Sequence, residues 1–330
     1  MKTIFSGVQP TGLLHIGNYF GALKQWVKLQ DEADRAIYCI VDMHAITVPQ
    51  DPIKLRENTI KIAAWLLAMG LNPQKAILFV QSDRPEHAEL MWIMNTMTGM
   101  GQLERMTQYK DKSTKFDNST IPAGIFNYPT LMAADILIYG ATHVPIGEDQ
   151  KQHLELTRDL AERFNSKFGQ NFVLPEPIFS QTGARVMGLN DPTKKMSKSA
   201  DTPLNYIALD DDEESIRNKI KRAVTDSGNE IKSGQDKPAM TNLLNIYSEI
   251  TGKTVGQIEE DFVGKGYGEF KEALAQELID YLKPMKERYL DILQDEDKIR
   301  AILSAGAEKL ESNARQNITK IKRVVGLGIN

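Results

Sequence analysis

The sequence is poor in whatever would mark it for export, for a membrane or for a structural metal. One cysteine, Cys39, in 330 residues excludes an intrachain disulfide. No run approaches 18 uninterrupted apolar residues, so no membrane contact is expected. The opening residues, Met1-Lys2-Thr3-Ile4-Phe5-Ser6-Gly7, lack the apolar core and cleavage site of a signal peptide. They read as a first strand, and the expected place is the cytoplasm. Five histidines and the single cysteine show no zinc spacing, so no protein-bound structural metal is expected. No Ser/His/Asp or Cys/His set suggests covalent catalysis. Charge of either sign is nearly balanced: 40 Lys+Arg against 44 Asp+Glu leaves −4. That excludes a basic coat but not a local patch for phosphate. What remains is ordinary globular matter. A hydrophobic fraction of 41% is enough to offset the entropy of ordering, and the length suits two domains.

Strand-like and helix-like runs alternate through the first 150 residues. Strands are expected at 3–6, 36–41 and 76–80, the last two as continuous apolar runs of the kind buried on both faces of a parallel sheet. Helices are expected at 16–29, at 52–69 (capped by Asp51, ended by Gly70) and at 87–97. This order predicts a doubly wound, mostly parallel, Rossmann-like sheet. The polar stretch 109–120 reads as an exposed loop. A helix over 123–139 with Pro129 inside, a strand at 142–146 and a helix at 149–164 follow, then a loop-rich stretch at 181–199. Beyond about Asp201 the pattern is helical to the end, so a mainly helical domain follows the sheet.

Two motifs carry chemistry. Lys195-Met196-Ser197-Lys198-Ser199, preceded by Lys194, sets three lysines among small hydroxyl residues. On charge alone such a loop is a solvated surface; the order Met-Ser-Lys-Ser singles it out. A flexible cation cluster suits charge relief at a triphosphate whose pyrophosphate leaves. Gln9-Pro10-Thr11-Gly12 with His15-Ile16-Gly17-Asn18 falls between the first strand and first helix, where doubly wound sheets bind nucleotides. Gly17 would let a ribose or adenine approach the backbone, and His15 and Asn18 can donate to phosphate. A histidine before a helix is commonly an ordinary cap.

Together, about 180 residues apart, these motifs resemble the signatures of the class I aminoacyl-tRNA synthetases. The usual first motif of that family ends in a second histidine; Asn18 stands there, as in the tryptophan branch, and its amide can still donate. The likeness to the bacterial-type tryptophanyl-tRNA synthetases runs through residues 5–12, 41–45, 130–137, 147–153, 223–227 and 264–268, nearly the whole chain.

The resemblance implies a catalytic domain at 1–200, with ATP and amino-acid sites and the lysine loop at 194–199. It implies a helical domain at 201–330 that binds the tRNA anticodon, with the last helix free to return to the catalytic domain. That last segment holds Lys309, Arg315, Lys320, Lys322 and Arg323 against Glu308 and Glu311, which suits phosphate contact weakly. The implied substrates are ATP with Mg2+, L-tryptophan and tRNA(Trp), in a homodimer. Lys195, Lys198, His15 and Thr11 would act in catalysis. Gln9, Pro10, Thr11, Gly17, Asn18, Gly147, Glu148, Asp149, Val186, Lys195, Met196, Ser197, Lys198 and Ser199 would hold nucleotide, although Asp149 could equally be a plain helix cap. Asp135 would accept the indole N–H, and Phe5, Gly7, Tyr128, Met132, Val144 and Ile146 would wall its pocket. Gln108 would lie near the reacting carboxylate, and His44 is as readily structural as a substrate contact. A site built on a buried hydrogen bond rejects a ligand lacking the donor by roughly 10⁴–10⁵. An acid among Ala133, Ala134, Ile136 and Leu137 needs such a partner. The rival readings are a tyrosyl enzyme, a small nucleotidyltransferase and a non-catalytic relative. The large helical domain counts against the second, and the intact lysine loop with Asp135 against the third.

Overall fold

The computed structural model of the chain describes residues 1–113, 121–179, 186–198 and 202–328. Among these residues, five strands form one parallel sheet in the order β3-β2-β1-β4-β5. They are β1 (Thr3–Val8), β2 (Arg35–Ile40), β3 (Ala76–Val80), β4 (His143–Ile146) and β5 (Glu176–Phe179). The apolar run of β2 is explained by its place: Ile37, Tyr38, Cys39 and Ile40 are wholly buried, paired on one side with β1 and on the other with β3. Burial also pushes the Cys39 thiol well above its usual range, so it is inert packing. The strand order reverses between β1 and β4, the point outside whose carboxyl ends such sheets bind ligands.

Local signals set the helices. Asp51 caps Pro52–Ala68 by accepting from Ile53 N–H and Lys54 N–H at 2.9 and 2.8 Å, with Pro52 at the first helical position. The positive φ of Gly70, 109°, takes the chain away. Ala123–Leu137 runs on through Pro129. The last helix, Glu296–Val324, covers the edge strand β3. It does so through Gly306, where a methyl group would fall 1.9 Å from the Leu78 carbonyl oxygen.

The chain forms two compact units. The first holds Met1–Gly12, Val27–Phe179 and Asp295–Asn330, which is the sheet, its helices and the last helix. The second holds Leu13–Trp26 and Ser180–Gln294. Its main helices are Glu213–Arg222, Pro238–Thr251, Val255–Asp261 and Tyr267–Leu293, joined by a cluster of Tyr247, Phe262 and Phe270 with ring centroids 5.1–5.8 Å apart. The α/β sheet followed by a helical region is the fold class expected. The units themselves are discontinuous, where composition suggested one boundary near 200.

Three local expectations are corrected. Residues 109–113 belong to a helix, Thr107–Ser113, instead of opening a loop; 114–120 lie outside the described residues. The segment 16–29 is three pieces: a short turn of α-helix, a π-helical stretch Tyr19–Leu23, and the helix Lys24–Glu32. The strand β5 was not expected, because Glu-Pro-Ile-Phe is short and holds a proline, as edge strands tolerate.

Candidate active site

A cavity of about 260 Å³ opens in the first unit at the reversal point of the sheet. β1 supplies Phe5, Ser6 and Gly7, and β4 supplies Val144, Pro145 and Ile146. Tyr128, Met132, Asp135 and Ile136 come from the Ala123–Leu137 helix at helical spacing, which turns them to one face. Val41, His44, Gln108, Gln9 and Gln150 complete the lining. Gly7 leaves this wall thin: a methyl group there would fall 2.8 Å from Val41 Cγ1. Gln108 is set by its neighbour Thr107, whose N–H and hydroxyl both donate to Gln152 Oε1, at 2.9 and 2.6 Å. The Tyr128 hydroxyl bonds His153 Nε2 at 2.7 Å. All nine residues expected to contact the amino acid therefore line one cavity.

Asp135 is 1% exposed at the back of this cavity. Gln81 Nε2 donates to its Oδ1 at 2.7 Å, His87 Nδ1 to the same oxygen at 2.6 Å, and His44 Nε2 to Oδ2 at 2.8 Å. Burial works against its charge, but the hydrogen bonds from the two histidines and their fields outweigh it. The acid is lowered to about 2 and stays ionised. Apolar walls from Phe5, Met132, Val144 and Ile146 around one buried, ionised acceptor suit a flat apolar group carrying a single N–H. His44 is both structural and cavity-lining. Gln81 and His87, neither of them expected, sit behind the acid. The signal that could have found Gln81 is its place just past the carboxyl end of β3.

The second unit brings the His15–Asn18 half of the first motif together with the lysine loop. His15 caps Ile16–Asn18: Asn18 N–H donates to His15 Nδ1 at 3.3 Å, and His15 N–H to Asn18 Oδ1 at 3.1 Å. A ring nitrogen that accepts cannot carry a proton. Desolvation by burial, then the charges of Lys198 and Lys195, lower this imidazole to about 4. Its Nε2–H is the donor left for a ligand, as the Nδ2 amide is for Asn18. Gly17 has a packing reason of its own: a methyl group would meet the His15 ring at 3.0 Å and Met196 Cβ at 3.3 Å.

The lysine loop is held from its base. Met187 and Lys195 pair antiparallel, and Met196 N–H donates to the Val186 carbonyl at 3.0 Å. Asn242 clamps Met187 from both sides, accepting from its N–H at 2.8 Å and donating to its carbonyl at 3.0 Å. Asn205 Oδ1 accepts from Asn190 and Asp191 N–H at 2.9 and 3.2 Å. Met196 is buried while Lys195 and Lys198 stay exposed, so the loop is anchored by its methionine and presents its cations. Lys194 pairs with Asp191 at 3.1 Å.

The remaining nucleotide candidates divide between the units. Gln9, Pro10 and Thr11 follow β1 in the first unit, and Gln9 lines the amino-acid cavity. Gly147, Glu148 and Asp149 follow β4, also in the first unit. Gly147 starts that turn, and Asp149 lies inside it, taking Gln150 Nε2–H at 2.9 Å, so Asp149 is not the cap. Val186, Met196, Ser197 and the two lysines are in the second unit. Ser199 lies outside the described residues.

A doubly wound parallel sheet with a cavity at its reversal point defines a protein that binds small ligands or nucleotides at its strand ends. The family model for class I tRNA synthetases (W and Y) matches residues 1–283. The tryptophan–tRNA ligase of Halalkalibacterium halodurans is 54% identical over 328 residues, 99% of this chain and 98% of that one. The crystal structure of tryptophanyl-tRNA synthetase from Mycoplasma pneumoniae has a TM-score of 0.92 at 37% identity, covering 99% of this chain and 98% of that one. That of the Campylobacter jejuni synthetase complexed with ADP and tryptophan has a TM-score of 0.84 at 38% identity, covering 99% and 100%. The chain belongs to the class I tRNA synthetases of the tryptophan and tyrosine branch.

Proposed function

We propose that this protein is a tryptophan–tRNA ligase. It joins L-tryptophan and Mg·ATP into tryptophanyl-adenylate, releasing pyrophosphate, and then passes the acyl group to the terminal ribose of tRNA(Trp), releasing AMP. The observation that carries the reading is the buried, ionised Asp135 at the back of an apolar cavity. Phenylalanine would leave the remaining Oδ2 site of that acceptor unpaired, and the hydroxyl of tyrosine would present its proton from another point in space.

The first step is in-line attack by the amino-acid carboxylate on the α-phosphorus, which needs positioning and charge stabilisation but no protein nucleophile. Lys195 and Lys198 stabilise the leaving pyrophosphate. His15 donates from Nε2, and Thr11, Gln9, Pro10, Gly17, Asn18 and the turn Gly147-Glu148-Asp149 hold nucleotide with Val186, Met196, Ser197 and Ser199. Gln108 faces the reacting carboxylate. Magnesium belongs to the nucleotide substrate, carried by its phosphates.

The helical segments of 201–330 bind the tRNA anticodon, and the protein works as a homodimer in the cytoplasm beside its tRNA. In support of a dimer, Trp92 and Met100 are 65% and 66% exposed, large apolar side chains near one another in sequence. Among the described residues, no helix is long and apolar enough to cross a membrane.

ATP–pyrophosphate exchange with each of the twenty amino acids tests the reading. Exchange should appear with tryptophan and remain at least about 10⁴-fold weaker with phenylalanine. Preference for tyrosine, or exchange without any amino acid, would replace this assignment with one of its rivals.

A further inference from the structure

The carboxylate of Asp135 has about four acceptor sites, two on each oxygen. Gln81 and His87 fill both sites of Oδ1. His44 fills one on Oδ2, so among the described residues one Oδ2 site remains. The filled oxygen faces away from the ligand: His44 lines the cavity, whereas Gln81 and His87 do not. Both are wholly buried behind it.

Each of these rear donors is itself fixed. Gln81 Oε1 accepts Met43 N–H at 3.1 Å, so its amide can turn only one way. His87 Nε2 lies 2.7 Å from the Tyr139 hydroxyl. Burial, followed by the fields of Cys39 and Asp135, raises that phenol far above its ordinary value, so it keeps its proton. Among the described residues, His87 Nε2 is the partner given to this hydroxyl. The phenol proton therefore goes to Nε2, and the ring carries its own proton on Nδ1, aimed at Asp135 Oδ1. The Tyr139 ring is wedged between Phe5 at 6.0 Å and Phe79 at 5.9 Å, which sets where the hydroxyl stands.

We infer that His87 and Tyr139 are positioning residues for tryptophan selection. Resting on the function proposed above, they form a chain, Tyr139 to His87 to Asp135 Oδ1, that fixes the rotation of the carboxylate and leaves Oδ2 as the single acceptor for the indole N–H. Neither touches the ligand. Without them the acid can turn, offer either oxygen, and lose its discrimination while keeping its charge.

The probe is β-(benzothiophen-3-yl)alanine, a tryptophan analogue with sulfur in place of the N–H. The readout is the ratio of kcat/KM in pyrophosphate exchange for tryptophan over this analogue. His87→Leu should lower the ratio by about tenfold to a hundredfold, the scale of one buried, charge-assisted hydrogen bond, with the KM for ATP unmoved. His87→Asn keeps an N–H within reach of Oδ1 and should restore most of the ratio. Tyr139→Phe keeps the ring and should lower it by about threefold, less than His87→Leu because both donors to Oδ1 persist and only the hydrogen bond that orients His87 is lost. A purely structural role would weaken both amino acids equally and leave the ratio alone. An unmoved ratio in His87→Leu, or equal damage from His87→Asn, overturns the inference. Should His87→Leu fail to fold, an unmoved ratio in Tyr139→Phe overturns it as well. Failure of the proposed function would appear differently, as no exchange with tryptophan in the unaltered protein.

Discussion

The cavity around Asp135 and the lysine loop around Met196 solve opposite problems. In the cavity the charge is hidden: one acid, 1% exposed, held by three side chains, two of which, Gln81 and His87, are fixed in turn. In the loop the charge is displayed: a buried methionine and two asparagine side chains fix the backbone, and the side chains of Lys195 and Lys198 are exposed. The first arrangement suits selection, because a buried acceptor penalises every ligand that fails to pair with it. The second suits a transition state, because mobile cations can follow charge as it develops on a leaving group. Damage to the cavity should therefore fall on the choice of amino acid, and damage to the loop on the rate.

The largest test is Asp135→Ala. It should lower kcat/KM for tryptophan by about 10³ or more in pyrophosphate exchange while the KM for ATP moves less than about threefold. A parallel loss for ATP would erase the contrast between the regions. Next, Lys195→Ala or Lys198→Ala should slow adenylate formation by roughly 10²–10³ with the KM for tryptophan unchanged. Single-turnover measurement of the adenylate separates this from binding.

The third test is acid. His15 has its folded value lowered to about 4, against 6.5 for the free group, by burial and then by Lys198 and Lys195. Between those values the unfolded chain takes up a proton that the folded one refuses. Stability is thus full above pH 6.5 and falls as acid carries the protein toward pH 4. The loss at pH 5 should be about 2 kcal/mol. His15→Asn can still accept from Asn18 N–H, and it should flatten that slope in denaturant melts at pH 7 and pH 5. An unchanged slope would mean that burial and the two lysines do not hold this imidazole unprotonated. The smallest effect belongs to Asn242→Ala, which removes the clamp on Met187 and should slow exchange about tenfold by letting the loop shift, with the KM for tryptophan unmoved.

The same contrast governs what was legible in the sequence. The apolar runs of β2 and β3 gave the parallel sheet, because a strand buried on both faces has no polar alternation to confuse. Asp135 stood out as an acid in an apolar helix, and the lysine loop by its residue order. Their supports did not stand out. Gln81 and His87 reach Asp135 across 54 and 48 residues, and Asn242 reaches Met187 across 55, so nothing local ties them to these partners. Residues 109–113 read as loop because their polar run carries no apolar face. The packing demand on Gly17 was illegible for a related reason: the Met196 that presses on it lies far along the chain and close only in the fold.

The most direct measurement is a crystal structure of the protein with L-tryptophan bound. The indole nitrogen should lie about 2.7–3.2 Å from Asp135 Oδ2, with Oδ1 still held by Gln81 and His87. An indole seated in the cavity with its nitrogen turned away from that oxygen, or tryptophan bound elsewhere, would contradict the account.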